Sequence, residues 1–271
     1  MHCEFSGDGL PPVVLVHGFA CDHTDWTAQV EALSERHLVV TCDLPGHGCT
    51  PGKPQDCSIE TYGADVAQLV VALQCAPAVL VGHSMGCRIV LEAARQRPGA
   101  VAGLVLIDGS LTGIGDPEAA EQAMRKQIAA KGFRAFSEDF FRDMFPVPFD
   151  RSHEIIERAR KLPVEVGSAL FPRIARWDAQ HMNAALAAVQ VPLMVIQSTY
   201  MGPTLKRESL QPGQSSPWLD RVRKYAPNAR IEIVLGAGHF VHMEVAEQVN
   251  ALLQNFLVDE SKLDLQVRVK D

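Results

Sequence analysis

No stretch of this 271-residue chain is long enough and apolar enough to cross a bilayer. The opening Met1-His2-Cys3-Glu4-Phe5 has no basic segment leading into an apolar one, so no secretory leader is expected either. Clusters of Lys and Arg are also missing. With 25 Lys and Arg against 32 Asp and Glu, and a formal net charge of -7, there is no concentrated basic surface for phosphates. Nucleic acid and membrane are therefore not expected partners, and a small organic molecule is. The seven cysteines, Cys3, Cys21, Cys42, Cys49, Cys57, Cys75 and Cys87, are odd in number and show no Cys-x-x-Cys spacing. That argues against a zinc knuckle or a disulfide frame and fits reduced thiols in a cytoplasmic protein; neither metal nor organic cofactor is expected. Internal repeats and low-complexity segments are absent as well, and the composition leaves the oligomeric state open.

What is present is an alternation of short β-branched apolar runs with amphipathic stretches, the pattern of an α/β fold with a mostly parallel central sheet flanked by helices. Strands are expected at 13–16, 38–42, 78–81, 104–107, 193–197 and 231–235. Helices are expected at 26–34, 61–73, 85–96, 216–225 and 245–257. Runs such as Val13-Val14-Leu15-Val16 are apolar without alternation, as strands covered on both faces must be. From 111 to 189 the rhythm changes to helical patterns at 118–131, 135–144, 153–161 and 178–188. Pro146, Pro148, Pro163 and Pro172 are read as their junctions. The expected organisation is a core of 1–110 and 190–258, a helical cap of 111–189, and a C-terminal tail of 259–271. The cap is well placed to exclude water and shape a pocket. About two thirds of its large apolar side chains are expected in its own core, with Phe140 and Trp177 assigned to the substrate pocket.

The chemistry concentrates at Gly82-His83-Ser84-Met85-Gly86, between an apolar strand and a helix. A turn this sharp leaves no room for side chains at the two glycines and pushes the Ser84 hydroxyl out above the sheet edge. The amide of Met85 then opens a helix, where an unpaired N–H and the positive end of the dipole can meet developing negative charge. Cys87, early in that helix, is read as packing. An activated serine needs a base and a carboxylate to orient it. Of ten histidines, His239 in Gly236-Ala237-Gly238-His239-Phe240 is the strongest base, because flexible glycines let its loop reach over the sheet edge. His242 is expected to cap the turn into the last helix. His17 is expected to fix the loop whose amides, including that of Phe19, complete an oxyanion hole with Met85. His47 and His83 are read as structural, and Asp43 as a brace for the turn at Gly46 and Gly48.

With His17-Gly18, Asp43-Leu44-Pro45-Gly46-His47-Gly48, Gly82-His83-Ser84-Met85-Gly86 and Gly238-His239 in this order, the chain resembles the α/β-hydrolase superfamily from Val13 to Leu257. The resemblance implies an eight-stranded, mostly parallel sheet, of which the first strand or two would be missing here. It also implies an acid after the strand at 193–197, yet Ser198-Thr199-Tyr200-Met201-Gly202-Pro203 holds no carboxylate. Some subfamilies draw the acid from the end of the preceding strand, where this chain has Asp108. Asp108 is accordingly assigned as the orienting acid, with Glu208 and Asp220 in reserve. Arg207, in the long segment 198–217, would either hold a substrate carboxylate at the pocket entrance or stand solvated. The implied activity is serine hydrolysis of a carboxylic ester or related acyl bond. Carbon–carbon bond hydrolysis of ring-fission products, cofactor-independent oxygenation and a hydrolase-like small-molecule receptor are the alternatives.

Overall fold

The computed structural model describes residues 1–268 apart from 75, 76, 146, 147 and 203, so Cys75, Pro146 and the last three residues of the expected tail lie outside it. Seven strands form the main sheet: β1 His2–Ser6, β2 Val13–Val16, β3 Val39–Asp43, β4 Ala78–His83, β5 Val101–Ile107, β6 Leu193–Gln197 and, after a small hairpin, β9 Arg230–Ile233. The hairpin strands are β7 Thr199–Met201 and β8 Arg207–Ser209, paired antiparallel. The main sheet runs β1-β3-β2-β4-β5-β6-β9, parallel except for the antiparallel pair β1 and β3.

Both faces of the sheet are covered, which explains the unalternating strands. Val14 and Val16 of β2, Leu80 of β4, Leu104 and Leu106 of β5 and Val195 of β6 enter one core. Val13 and Leu15, Val79 and Val81, Val105 and Ile107, and Met194 and Ile196 enter the other. The first core is closed by α2 (Ile59–Ala72), α3 (Met85–Gln96) and α8 (Pro217–Tyr225). The second is closed by α1 (Thr27–Leu33) and α10 (Ala246–Arg268), through Leu33, Val249, Leu253 and Phe256. A short helix, α9 (Val241–Glu244), precedes α10. Helix starts follow the side-chain chemistry: Ser58, Asp116 and Ser216 each accept a bond from a first-turn amide.

Between β5 and β6 lie four helices and, among the described residues, no strand: α4 Pro117–Lys131, α5 Phe133–Arg142, α6 Ser152–Ala159 and α7 Val164–Ala187. Pro163 sits at the start of α7, but Pro172 lies inside that 24-residue helix, not at a junction. Proline there removes one backbone donor, and buried neighbours on both sides, Phe171 and Ile174, hold the helix through the interruption. Among the described residues the main sheet has seven of the eight implied strands, within the expected loss of one or two, and the amino-terminal segment supplies β1. One further expectation needs correction. The last helix does not end at 257 but continues to Arg268, so most of the expected tail has a helical backbone.

The strand order reverses between β2 and β4: the chain moves outward from β2 to β3, then returns to the other side of β2. A crevice must open at the carboxyl ends of those two strands, because their following loops depart in opposite directions. The loop after β2 carries Gly18 and Phe19, and the turn after β4 carries Ser84.

The inserted helices are fastened to the core by a buried ion pair. Arg88 of α3 donates from Nε and Nη2 to the two carboxylate oxygens of Asp178 of α7, at 2.7 and 2.8 Å, and its other bonds go to the carbonyls of Ser84 and Ser110. Both side chains are almost wholly buried. Removing one partner strands a buried charge, whereas removing both removes the demand. Asp178→Leu is expected to lower stability by about 3–5 kcal/mol, and Arg88→Met added to it to restore a large part, as read by urea denaturation.

Candidate active site

Ser84 sits at the turn with φ 56° and ψ -110°, a strained backbone for a residue with a side chain. The flanking glycines are required by contact: a Cβ on Gly82 would lie 2.3 Å from the carbonyl oxygen of Gly86, and one on Gly86 would lie 2.3 Å from that of Val16. The sheet ladder continues past the strand ends to fix this turn, with the Ser84 amide donating to Ile107 (2.9 Å) and the Asp108 amide donating to Ile196 (2.8 Å). Asp108 too has a positive φ, 45°, so two neighbouring strand ends both turn back on themselves. Strain of this kind persists only where surrounding bonds over-determine it.

Three side chains from three loops meet here. His239 Nε2 lies 3.0 Å from Ser84 Oγ, and His239 Nδ1 lies 2.7 Å from Asp108 Oδ2. A carboxylate oxygen can only accept, so Nδ1 carries the proton and Nε2 presents its lone pair to the hydroxyl. The loop holding His239 is itself held. Glu244 accepts from the amides of Gly238 (2.6 Å) and Phe240 (3.0 Å), on either side of the histidine, and His83 Nε2 donates to the His239 carbonyl at 2.9 Å. Burial first, then the charges of Arg207, His242 and Arg88, hold the His239 imidazole well below its ordinary pKa and so in the neutral form.

The reserve acids are elsewhere. Glu208 is exposed and accepts from the Tyr200 hydroxyl, and Asp220 is exposed beside Ser215 and Arg223. Arg207 does not stand at a pocket entrance: its side chain is 1% exposed and donates from Nη1 to Asp108 Oδ2 at 2.8 Å. Alternation along β8 explains this, since Arg207 faces inward while Glu208 faces out. Trp177 also differs from its expected place. It is fully buried on α7, donating to Glu92 of α3, and so belongs to the packing between the two helices. His242 does not sit at the cap of the last helix; it lies within α9, buried against the rings of His83 and Trp26. Cys87 is indeed packed, its thiol pushed up to about 12 by burial.

Other placements agree with the sequence. The Gly18 backbone presses on Ser84, where an added Cβ would come 3.2 Å from the serine Cβ, which brings Phe19 alongside. His17 accepts from the Leu44 amide at Nε2 (3.1 Å), leaving Nδ1 to donate to the Gly18 carbonyl (2.7 Å), so it ties that loop to the one after β3. Met85 is the first residue of α3, where the amide has no acceptor within the helix. Asp43 binds the amides of His23 and Cys49, bracing the turn at Gly46 and Gly48. A small cavity of about 10 Å³ over Ser84 and His239 is roofed by Phe140, Phe141 and Met144. Phe140 also lines a larger outer pocket of about 460 Å³ with Phe136, Leu205 and Lys131.

Sequence reasoning missed Ser198 and Thr199. Both backbone amides donate to Asp108 Oδ1, at 2.9 and 2.8 Å, and the Thr199 hydroxyl donates to Oδ2 at 2.6 Å. Their position just past β6, beside the end of β5, was the available signal. The absence of a carboxylate there drew attention from what the two residues offer, which is donors.

Residues 13–252 match the sequence profile of a family described as the alpha/beta hydrolase family. The chain belongs to that family. Curated relatives include the dihydrolipoyllysine-residue acetyltransferase component of the acetoin cleaving system of Pseudomonas putida, 29% identical over 94% of this chain and 65% of its own length. The chain thus spans about two thirds of that relative. An sn-1-specific diacylglycerol lipase of Mus musculus is 29% identical over 92% of this chain and 81% of its own. Among solved structures, a malate-bound thermophilic esterase from Thermogutta terrifontis has a TM-score of 0.78 at 25% identity, covering 96% of this chain and 93% of that one. Among the described residues, no helix is long and apolar enough to cross a membrane.

Several buried histidines make the α/β-hydrolase core sensitive to acid. Burial lowers His17 from 6.5 to about 4 and, with help from the neighbouring His17 charge, His47 to about 3. Each takes up a proton more readily in the unfolded chain, so its contribution is whole above about pH 6.5 and is lost as pH falls from there toward the folded value. The unfolding free energy read by urea denaturation is expected to fall between about pH 6.5 and pH 4, by up to about 1.4 kcal/mol per pH unit for each group, and the urea midpoint with it. A flat midpoint over that range would contradict the neutral, buried state of these rings.

Proposed function

We propose that this α/β hydrolase cleaves a carboxylic ester or related acyl bond of a small molecule through an acyl-enzyme intermediate. One observation carries the reading: the unbroken line from Ser84 Oγ through His239 to Asp108, with the proton of the imidazole on the side of the carboxylate. Ser84 attacks the carbonyl as His239 takes its proton, and Asp108 keeps the imidazole in the tautomer this requires. The amides of Met85 and Phe19 receive the oxyanion, His239 hands the proton to the departing alcohol as the carbonyl–oxygen bond breaks, and water activated by His239 then releases the acyl group from Ser84. The helical insertion acts as the cap, and residues 1–110 with 190–258 as the core. Relatives acting on esters support the substrate class, among them a pimeloyl-[acyl-carrier protein] methyl ester esterase of Methylococcus capsulatus, 42% identical over 42% of each chain. The free thiols fit a cytoplasmic location. Carbon–carbon cleavage of an acidic diketone rested on Arg207 as an anion site, and Arg207 is committed to Asp108.

The space over Ser84 is far smaller than the few hundred cubic ångströms of an ordinary ligand pocket and holds no more than about one water, so an acyl group enters as the roof of Phe140, Phe141 and Met144 moves aside. On p-nitrophenyl esters, Ser84→Ala is expected to abolish the pre-steady-state burst and lower kcat by about 10³-fold or more. Asp108→Asn is expected to lower kcat by roughly 10⁴-fold. Turnover that survives Ser84→Ala would sink the proposal. Phe140 separates the two cavities, so Phe140→Ala is expected to raise kcat/KM for octanoyl over acetyl esters by about tenfold, and an unchanged ratio would remove Phe140 from the acyl path.

A further inference from the structure

The hairpin after β6 occupies the stretch in which related chains usually carry their acid, and here it delivers a cation to the acid that has moved. Arg207 reaches Asp108 Oδ2 at 2.8 Å, Thr199 Oγ1 at 3.0 Å and Ser110 Oγ at 3.3 Å. A hairpin needs no charge on its inner face, and burying a guanidinium is costly unless a partner of opposite charge is fixed against it. We propose that Arg207 is a positioning residue for catalysis: it clamps the carboxylate that orients His239, and as a fixed positive charge it opposes protonation of that imidazole. The proposal rests on the serine-hydrolase reading and deepens it.

The geometry makes the two cations share one oxygen. Asp108 Oδ2 accepts from Arg207, from the Thr199 hydroxyl and from His239 Nδ1, while Oδ1 is occupied by the amides of Ser198 and Thr199. A carboxylate already compensated by a guanidinium offers an imidazolium less than an undivided one would. The other ionisable groups around His239 do not provide a replacement. From the end of β4 comes His83, ring centroids 4.6 Å apart, and from α9 come His242 and Glu244, the latter spent on backbone amides. From α3 comes Arg88, its charge matched by Asp178 of α7. After burial, Arg207 is the foremost influence holding His239 neutral. Arg207 itself, lowered to about 10 by burial and supported by Asp108, stays a cation across the range in which His239 titrates.

The consequence is a base that remains available on the acid side of neutrality. The test is kcat/KM for p-nitrophenyl acetate from about pH 4.5 to about pH 9 in wild type, Arg207→Lys and Arg207→Gln, with Ser84→Ala as the blank. Arg207→Gln is expected to move the acid limb upward by about one to two pH units, and Arg207→Lys, which keeps the charge, to leave it near that of wild type. A Gln variant that loses rate equally at every pH, with its acid limb unmoved, would overturn the proposal. Should that variant fail to fold, Arg207→Met, which keeps much of the side-chain volume without the charge, takes its place. With ¹³Cε1-labelled histidine, the His239 signal, assigned by its loss in His239→Gln, is expected to titrate at a higher pH in the Arg207 variant than in wild type, and titration at the same pH in both would overturn the proposal. Failure of the underlying reading would show separately, as turnover equal in wild type and Ser84→Ala, and the shift of the His239 titration between wild type and the Arg207 variant would still answer for Arg207.

Discussion

A carboxylate with no exposure at all, sitting at the end of a central strand, is the constraint around which this molecule is arranged. Asp108 has lost its water and must find donors within the fold. The end of β6 supplies two amides and a hydroxyl, the hairpin supplies a guanidinium, and the loop after β9 supplies an imidazole. Four separate stretches of chain therefore converge because one charge has to be satisfied. The positive φ at Asp108 is the local cost of aiming the side chain into that meeting point, and the strain at Ser84 is its counterpart one strand away.

Much of this was legible in order and type but not in contact. The strands at 13–16 and 193–197 were readable to the residue, because a parallel strand buried on two faces has to be apolar throughout. Ser84 and His239 were readable because glycines mark the sharp turn and the close approach: an added Cβ on Gly238 would come 2.7 Å from Glu244. Asp108 was readable through the resemblance, which in some subfamilies places the acid at the end of the preceding strand. What escaped was pairing over long separations. Nothing local to Arg207 says that its partner lies 99 residues earlier, and a cation in a polar segment looks solvated unless the alternation of a short hairpin is already known. Trp177 escaped for the same reason: an aromatic on an amphipathic helix has two plausible faces, and only the approach of α3 selects one. The strand β1 was missed because its residues alternate weakly and its register is borrowed from β3.

The histidines show how one residue type is divided among tasks by its surroundings. His239 has a carboxylate on one nitrogen and a hydroxyl on the other, so proton movement can be directional. His17 has a carbonyl on one nitrogen and an amide on the other, so it is fixed and works as a tie between loops. His83 spends its donor on the backbone of His239 and so supports the ring it resembles. Burial disfavours the charged form of all three; the partners decide which one can react.

The inserted helices are attached unevenly, and that unevenness separates two kinds of change open to the protein. The long helix α7 is bolted to the core by Arg88 with Asp178, by Trp177 with Glu92, and by Arg173 reaching the carbonyls of Pro54 and Cys57. The roof over the serine is α5, whose Phe140 and Phe141 touch other aromatic rings and whose polar bonds are with exposed neighbours such as Lys131. Ring-on-ring contacts tolerate exchange of one apolar residue for another far better than buried charges tolerate loss of a partner. Substitutions in α5 can therefore retune which molecules enter while the floor below keeps the reacting groups aligned, so that selectivity can drift through a lineage without the chemistry being relearned.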